Sequence, residues 1–343
     1  SARLPSSAKK IRGLVMARVR LEKGGKKMEK GHSQEYFKED RDFWWNHDFL
    51  ELMARRLRLD ECRSLLDVGC GQCHWSRLLV ALMAKPATIC ALDDDPKWAA
   101  GSNNLRQFFQ ARGATVEFKQ GDAHALPYAD NSFDVVTCQT TLIHLRNPKA
   151  AITEMRRVAK PGGLVLCAEP NNLAGSLVRS NLSAEDPIED IQKDVGYYLM
   201  RERGKALLGE GDNSYGDLLP GDFSDVGFDD IRVYLSDKTC PMYPPYRTPG
   251  QQASLQAWQE LAATGTGYFD RAENHRYLTA LGNEYPSVLD AMLTRFKSEH
   301  SRMVHAIKEK NFSTGGACIM YLVSGRKAEQ TNARDGEYAA RDR

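Results

Sequence analysis

Three aspartates stand at the ends of short apolar runs: Asp67, Asp93 and Asp122. Two glycines, Gly69 and Gly71, follow the first of them at once, with Cys70 between. Glycine takes backbone angles closed to other residues and, with no Cβ, lets a ligand approach the main chain. The helix that reads from Trp75 onward offers free N–H groups at its start to a negatively charged group. Asp67 sits at a strand's C-terminal end, where doubly wound sheets bind their ligands, and an acid about 20 residues past the glycines is placed to accept hydrogen bonds from a ribose. His144, in Thr141-Leu-Ile-His-Leu-Arg-Asn-Pro148, is a further chemical group beside a strand end. A histidine titrates near neutrality and can act as a base.

The elements that must position these residues alternate. Leu65, Leu66 and Val68 form the first apolar run, and Ala87 to Leu92 the second, ending in Asp93-Asp94-Asp95-Pro96. Val116 to Lys119 leads into Gly121-Asp122-Ala123, and Phe133 to Gln139 follows Leu126-Pro-Tyr-Ala-Asp-Asn-Ser-Phe-Asp134. Leu164 to Ala168 follows Lys160-Pro161-Gly162-Gly163. Between them Trp75–Met83, Trp98–Ala111 and Ile143–Val158 read as helices. Strands alternating with helices imply a parallel sheet covered on both faces.

Taken together, these residues resemble the class I S-adenosylmethionine-dependent methyltransferases, in particular the group with ubiquinone-type C-methyltransferases and small-molecule methyltransferases. The resemblance runs from about Cys62 to Pro170 and extends to Phe228–Tyr234 and Ala317–Arg326. The rival, a nicotinamide-dinucleotide enzyme, carries Gly-x-Gly-x-x-Gly, and here His74 stands where the third glycine would be. The resemblance implies an α/β fold with a doubly wound, seven-stranded, Rossmann-like sheet, and S-adenosyl-L-methionine as cofactor. It further implies that Asp67 and the Gly69-Cys70-Gly71 turn hold the methionine end. Asp93 then takes the ribose hydroxyls and Asp94 flanks the adenine. Asp122 and the Ala123 N–H address the adenine edge, and Gln139 faces the cofactor. His144 borders the methyl group, either as a base for an O- or C-acceptor or as a packing residue. Glu169 either lines the acceptor pocket or bonds the adjacent loop. Tyr36 and Trp45 belong to an aromatic segment that packs an N-terminal helix on the sheet, lines the cofactor site, or does both. A sulfonium is attracted to aromatic faces.

At 343 residues with a formal net charge of +2, the chain has room for a large core and no bias toward a nucleic-acid partner. No apolar stretch approaches the roughly 18 residues of a membrane span. Of the 8 cysteines, Cys90, Cys138, Cys167 and Cys318 lie inside apolar runs and read as core residues, no metal-ligand spacing stands out, and a reducing cytoplasmic setting is expected. Residues 1–30 are Lys/Arg-rich and acid-poor, and read as a flexible basic tail, with an organelle-targeting segment as the alternative. The cofactor-binding core with its N-terminal helix is expected over 31–170, a cap segment over 171–227, completion of the sheet at 228–235 and 317–326, and a flexible tail over 327–343. The stretch 236–316 is too long for a loop and is expected to fold as a mainly helical cap insertion. With Tyr243, Tyr246, Trp258, Tyr268 and Phe269 it suits an acceptor pocket or a homodimer surface. The expected function is methyl transfer to an O, N or C atom of a small, partly aromatic or apolar metabolite. A tRNA or protein methyltransferase, or a non-catalytic cofactor-binding subunit, are the alternatives.

Overall fold

The computed structural model describes residues 41, 43–264, 267–316 and 319–329. The expectations for residues 1–30, for Tyr36, for Cys318 and for most of the C-terminal tail lie outside the described residues. The strands are β1 (Ser64–Val68), β2 (Ala87–Asp93), β3 (Ala114–Gln120), β4 (Phe133–Gln139), β5 (Ala159–Pro170), β6 (Asp229–Leu235) and β7 (Met320–Arg326). They form one seven-stranded sheet in the order β3-β2-β1-β4-β5-β7-β6. The first five strands run parallel, and β7 lies antiparallel between β5 and β6. β1 and β4 are buried almost throughout because a central parallel strand is covered on both faces.

Consecutive residues of a strand point to opposite faces, and Leu65 and Leu66 accordingly enter different cores. Leu65, Ile89 and Val135 pack with α1 (His47–Leu57), α2 (His74–Leu79) and α4 (Asn103–Gln110). Leu66, Val136 and Val165 pack with α5 (Pro148–Val158) and α7 (Leu219–Val226). A separate cluster joins α6 (Ile188–Leu207), α9 (Arg271–Leu281) and α10 (Leu289–Lys308) through Tyr197, Leu278, Met292 and Phe296. With α8 (Pro249–Thr264), these helices lie in the two stretches expected to form the cap.

Two expected helices are broken. The stretch 98–111 splits into α3 (Pro96–Ala99) and α4, because Gly101 takes φ +63° against the Phe118 ring and Ser102 caps α4 by accepting the Leu105 N–H at 3.2 Å. The helix read from Ile143 begins only at Pro148. Asn147 precedes a proline, which disfavours helical angles there, and its side chain instead accepts the Ala150 N–H at 3.2 Å. That break leaves Leu142–His144 as a separate turn of 3₁₀-helix directly after β4. The short helices α7 and α9 add to the expected elements; Asp270 caps α9 by accepting the Glu273 N–H at 2.9 Å.

Candidate functional site

The order of the sheet reverses between β1 and β4, and the crevice at that point collects the strand C-termini. Asp67 on β1 is 1% exposed and its Oδ2 has no hydrogen-bond partner. Burial pushes its carboxyl up to about 7, against the opposing pull of Ser76. Such an oxygen can take a donor from water or from a ligand. The turn beyond is pinned to β2: the Gly69 and Cys70 N–H groups donate to the Leu92 carbonyl at 2.8 and 2.9 Å. Gly71, at φ +48°, donates its N–H to Asp93 Oδ2 at 2.8 Å, and the Asp95 N–H donates to Asp93 Oδ1 at 3.0 Å. Asp93 is 8% exposed, and burial raises its pKa to about 6 despite these two N–H groups. An ionised carboxylate has about four acceptor positions, so two remain for hydroxyl groups of a ligand.

Gly69 also makes room for a neighbouring side chain. A Cβ there would lie 2.5 Å from the Thr141 side chain, whose hydroxyl donates to the Val68 carbonyl at 3.1 Å. The turn after β4 is thereby held directly on the glycine turn. Cys70 and Cys73 are buried in the same place, with Cys73 at φ +58° as the N-cap of α2. Trp45 is buried too, flanked by Trp75 at 5.0 Å and Phe49 at 6.0 Å. It belongs to the core cluster that also holds Cys70 and Cys73. Trp75 is in turn fixed by donating from Nε1 to Thr137 Oγ1 at 2.7 Å.

Asp94 is exposed, and its carbonyl accepts from Gln120 Nε2 at 2.9 Å. Asp122 lies past β3, with a side chain 66% exposed that bonds the His124 N–H at 2.8 Å and its ring at 2.7 Å. These bonds, the N–H first, lower the Asp122 pKa. Ala123 and Gln139 are buried at the ends of their loop and strand.

Glu169, at the end of β5, is fully buried and bonds the adjacent loop. Its Oε1 accepts the N–H groups of Thr141 and Leu142 at 3.0 and 2.9 Å, and Oε2 that of Ile143 at 3.4 Å. Burial lifts its pKa to about 7, with the loop N–H groups opposing the rise. His144 is half-buried at the end of this turn. The role of Thr141 comes from contacts across the sheet, for which local pattern carries no signal; for Glu169 the contacts select loop bonding from its two expected roles.

A partly open cavity of about 460 Å³ lies in the two stretches expected to form the cap. Both stretches line it: Tyr198, Tyr268, Phe269, Phe296 and Phe312 with the exposed Leu177 and Val178, and charged groups such as Asp194 and Glu299. The volume falls in the range that holds a small molecule. Tyr246 and Trp258 are internal to the cap: the Tyr246 hydroxyl donates to the Phe312 carbonyl at 2.9 Å, and Trp258 meets the Phe312 ring edge-on. No helix among the described residues is long and apolar enough to cross a membrane.

Comparison with known proteins matches residues 66–167 to a family model described as a methyltransferase domain. A demethylmenaquinone methyltransferase of Geobacillus kaustophilus is 33% identical over 129 residues, covering 36% of this chain and 51% of the relative. An uncharacterised methyltransferase, C1B3.06c of Schizosaccharomyces pombe, is 46% identical over 57 residues, covering 17% of this chain and 20% of the relative. The chain thus spans at most about half the length of the curated relatives it matches first. Among solved structures, the YcgJ protein of Bacillus subtilis superposes with a TM-score of 0.44 at 18% identity, covering 83% of this chain and 100% of YcgJ.

Proposed function

We propose, from the premise that this chain belongs to the class I S-adenosylmethionine-dependent methyltransferase family, that it transfers a methyl group from S-adenosylmethionine to a small, partly aromatic or apolar acceptor. The observation that carries the reading is the arrangement at the β1–β2 strand ends. There Asp67 offers a buried oxygen without a donor, and Asp93 presents the rest of its carboxylate beside Gly71. In this reading Asp67 with Gly69, Cys70 and Gly71 takes the methionine ammonium, and Asp93 takes the ribose hydroxyls. Asp94, Asp122 and Ala123 surround the adenine, and Gln139 faces the cofactor. The sulfonium is already an activated leaving group. The chain's main task is then to hold acceptor and methyl in line, a contribution of about 7–11 kcal/mol. His144 faces the acceptor and takes its proton. The aromatic cap cavity, shared between the stretches 171–209 and 236–316, holds the acceptor's apolar body. Free thiols at Cys138 and Cys167, neighbours on β4 and β5, suit a reducing, cytoplasmic setting.

Calorimetry tests the cofactor assignment. S-adenosylmethionine and S-adenosylhomocysteine should bind at micromolar levels, about −8 kcal/mol, and NADH should not. The sign of the proton linkage follows from Asp67. Its carboxyl is raised to about 7 in the free protein, and a ligand ammonium beside it favours the charged form. Binding near neutral pH should therefore release protons to the buffer, and affinity should rise between about pH 5 and pH 7. Proton uptake, or tight NADH binding, would overturn the assignment. The acceptor is tested separately by incubating the protein with methyl-labelled cofactor and a metabolite extract. A labelled low-molecular-weight product is expected; label only in tRNA or protein would replace the acceptor class.

A further inference from the structure

The C-terminal end of α6 reaches the turn that carries His144, and one of its side chains grips it. Lys205 is 2% exposed. Its Nζ donates to the Ile143 carbonyl at 3.3 Å and to Asn213 Oδ1. Burial lowers its pKa, opposed by the nearby Glu202 carboxylate. The other charges around it are Arg201, Glu273 and Asp212. Glu202 is engaged elsewhere: its Oε1 accepts from Arg201 at 3.1 Å and from Asn213 Nδ2 at 3.0 Å, and its Oε2 is buried without a hydrogen bond.

This arrangement is not explained by packing. A buried ammonium carries a desolvation penalty that an apolar side chain of similar volume would avoid. What the ammonium does, and an apolar chain would not, is hold a carbonyl one residue before His144. The same turn is held from its other side by Glu169, which takes the N–H groups of Thr141, Leu142 and Ile143. The loop that carries Asn213 closes on it as well. Gly211 sits at φ +93°, and a Cβ there would come 2.1 Å from the Ile143 carbonyl oxygen. The turn is thus clamped between an acid of the core and a lysine of the cap.

We propose that Lys205 is a positioning residue, which fixes the Ile143–His144 peptide from the cap side and so sets the direction of the His144 imidazole. A peptide plane bonded through both its neighbours cannot rock, and small errors in placing a reacting group are expensive in rate. The inference rests on the reading of His144 as the group that faces the acceptor. The test observes the imidazole directly, so its outcome is separate from whether His144 proves to be a base.

The experiment uses the full chain with uniform ¹⁵N label, saturated with S-adenosylhomocysteine. In Lys205→Met the His144 ring resonance should shift or double while the other histidine rings stay in place. Amide exchange at Leu142 and Ile143 should quicken roughly tenfold, the scale of one charged hydrogen bond. Asn213→Ala, which leaves the lysine but removes its second partner, should move the same resonance by less. Lys205→Gln keeps a donor and should restore much of the original position. Should Lys205→Met fail to fold, the Asn213→Ala and Lys205→Gln pair carries the test. An unmoved His144 resonance in folded Lys205→Met or Asn213→Ala, with only a lower melting temperature, overturns the proposal and leaves Lys205 a packing residue.

Discussion

His144→Ala should lower turnover about 10²–10⁴-fold, the range for losing a positioned general base, and leave cofactor affinity almost unchanged. The two effects separate because His144 lies beyond the residues proposed for the cofactor. It ends the 3₁₀ turn after β4, whereas the aspartates proposed for the ammonium and ribose end β1 and β2. Alanine there should not unfold the turn. The turn is held through its backbone, by Glu169 on the N–H side and Lys205 on the carbonyl side. A loss of turnover with an unchanged dissociation constant for S-adenosylhomocysteine is the expected pattern, and His144→Gln should behave like the alanine variant. Full activity of His144→Ala across the pH range would reduce the side chain to packing and move proton removal to solvent or to the acceptor itself.

Asp93→Ala should weaken cofactor binding by on the order of 2–4 kcal/mol, because hydrogen bonds to charged groups are the strong ones. That is a loss of about 30- to 1000-fold in affinity. The carboxylate has two tasks, and the variant removes both. It accepts the Gly71 and Asp95 N–H groups, which shapes the turn, and it offers its remaining positions to the ribose. Asp93→Asn separates them: the amide oxygen can still accept one N–H, so the turn is better kept than in Asp93→Ala while the charged bonds to the ribose are lost. The fold should survive both changes, since Asp93 ends its strand and the β1–β2 pairing stops at Val68 and Leu92. Titration calorimetry decides; a dissociation constant unchanged in Asp93→Ala would mean that the ribose is held elsewhere.

The fold class and the line of acids along the strand ends were legible in the sequence, because both are written locally. A buried parallel strand needs an unbroken apolar run, a Gly-x-Gly turn needs its glycines, and an acid that ends a strand keeps its place when the strand forms. So Asp67, Gly71 and Asp93 could be brought to one place by counting strands, and the Gly71 N–H does donate to Asp93. Helix limits were less legible where a single residue overrides a pattern: Pro148 and Gly101 cut helices that periodicity alone would continue.

Only the tertiary structure decided how the site is held. Gly69 is bare because Thr141, 72 positions later in the chain, packs against it. Glu169 bonds the loop of the neighbouring strand, and Lys205 reaches the same loop from a helix 62 positions away. In each case the deciding fact is what lies opposite the side chain, and a linear pattern does not contain it. A lysine on a polar helix and a lysine clamped on a buried carbonyl have the same letter and the same neighbours in sequence. Burial distinguishes them, because away from water the ammonium must be bonded to whatever the fold has placed beside it.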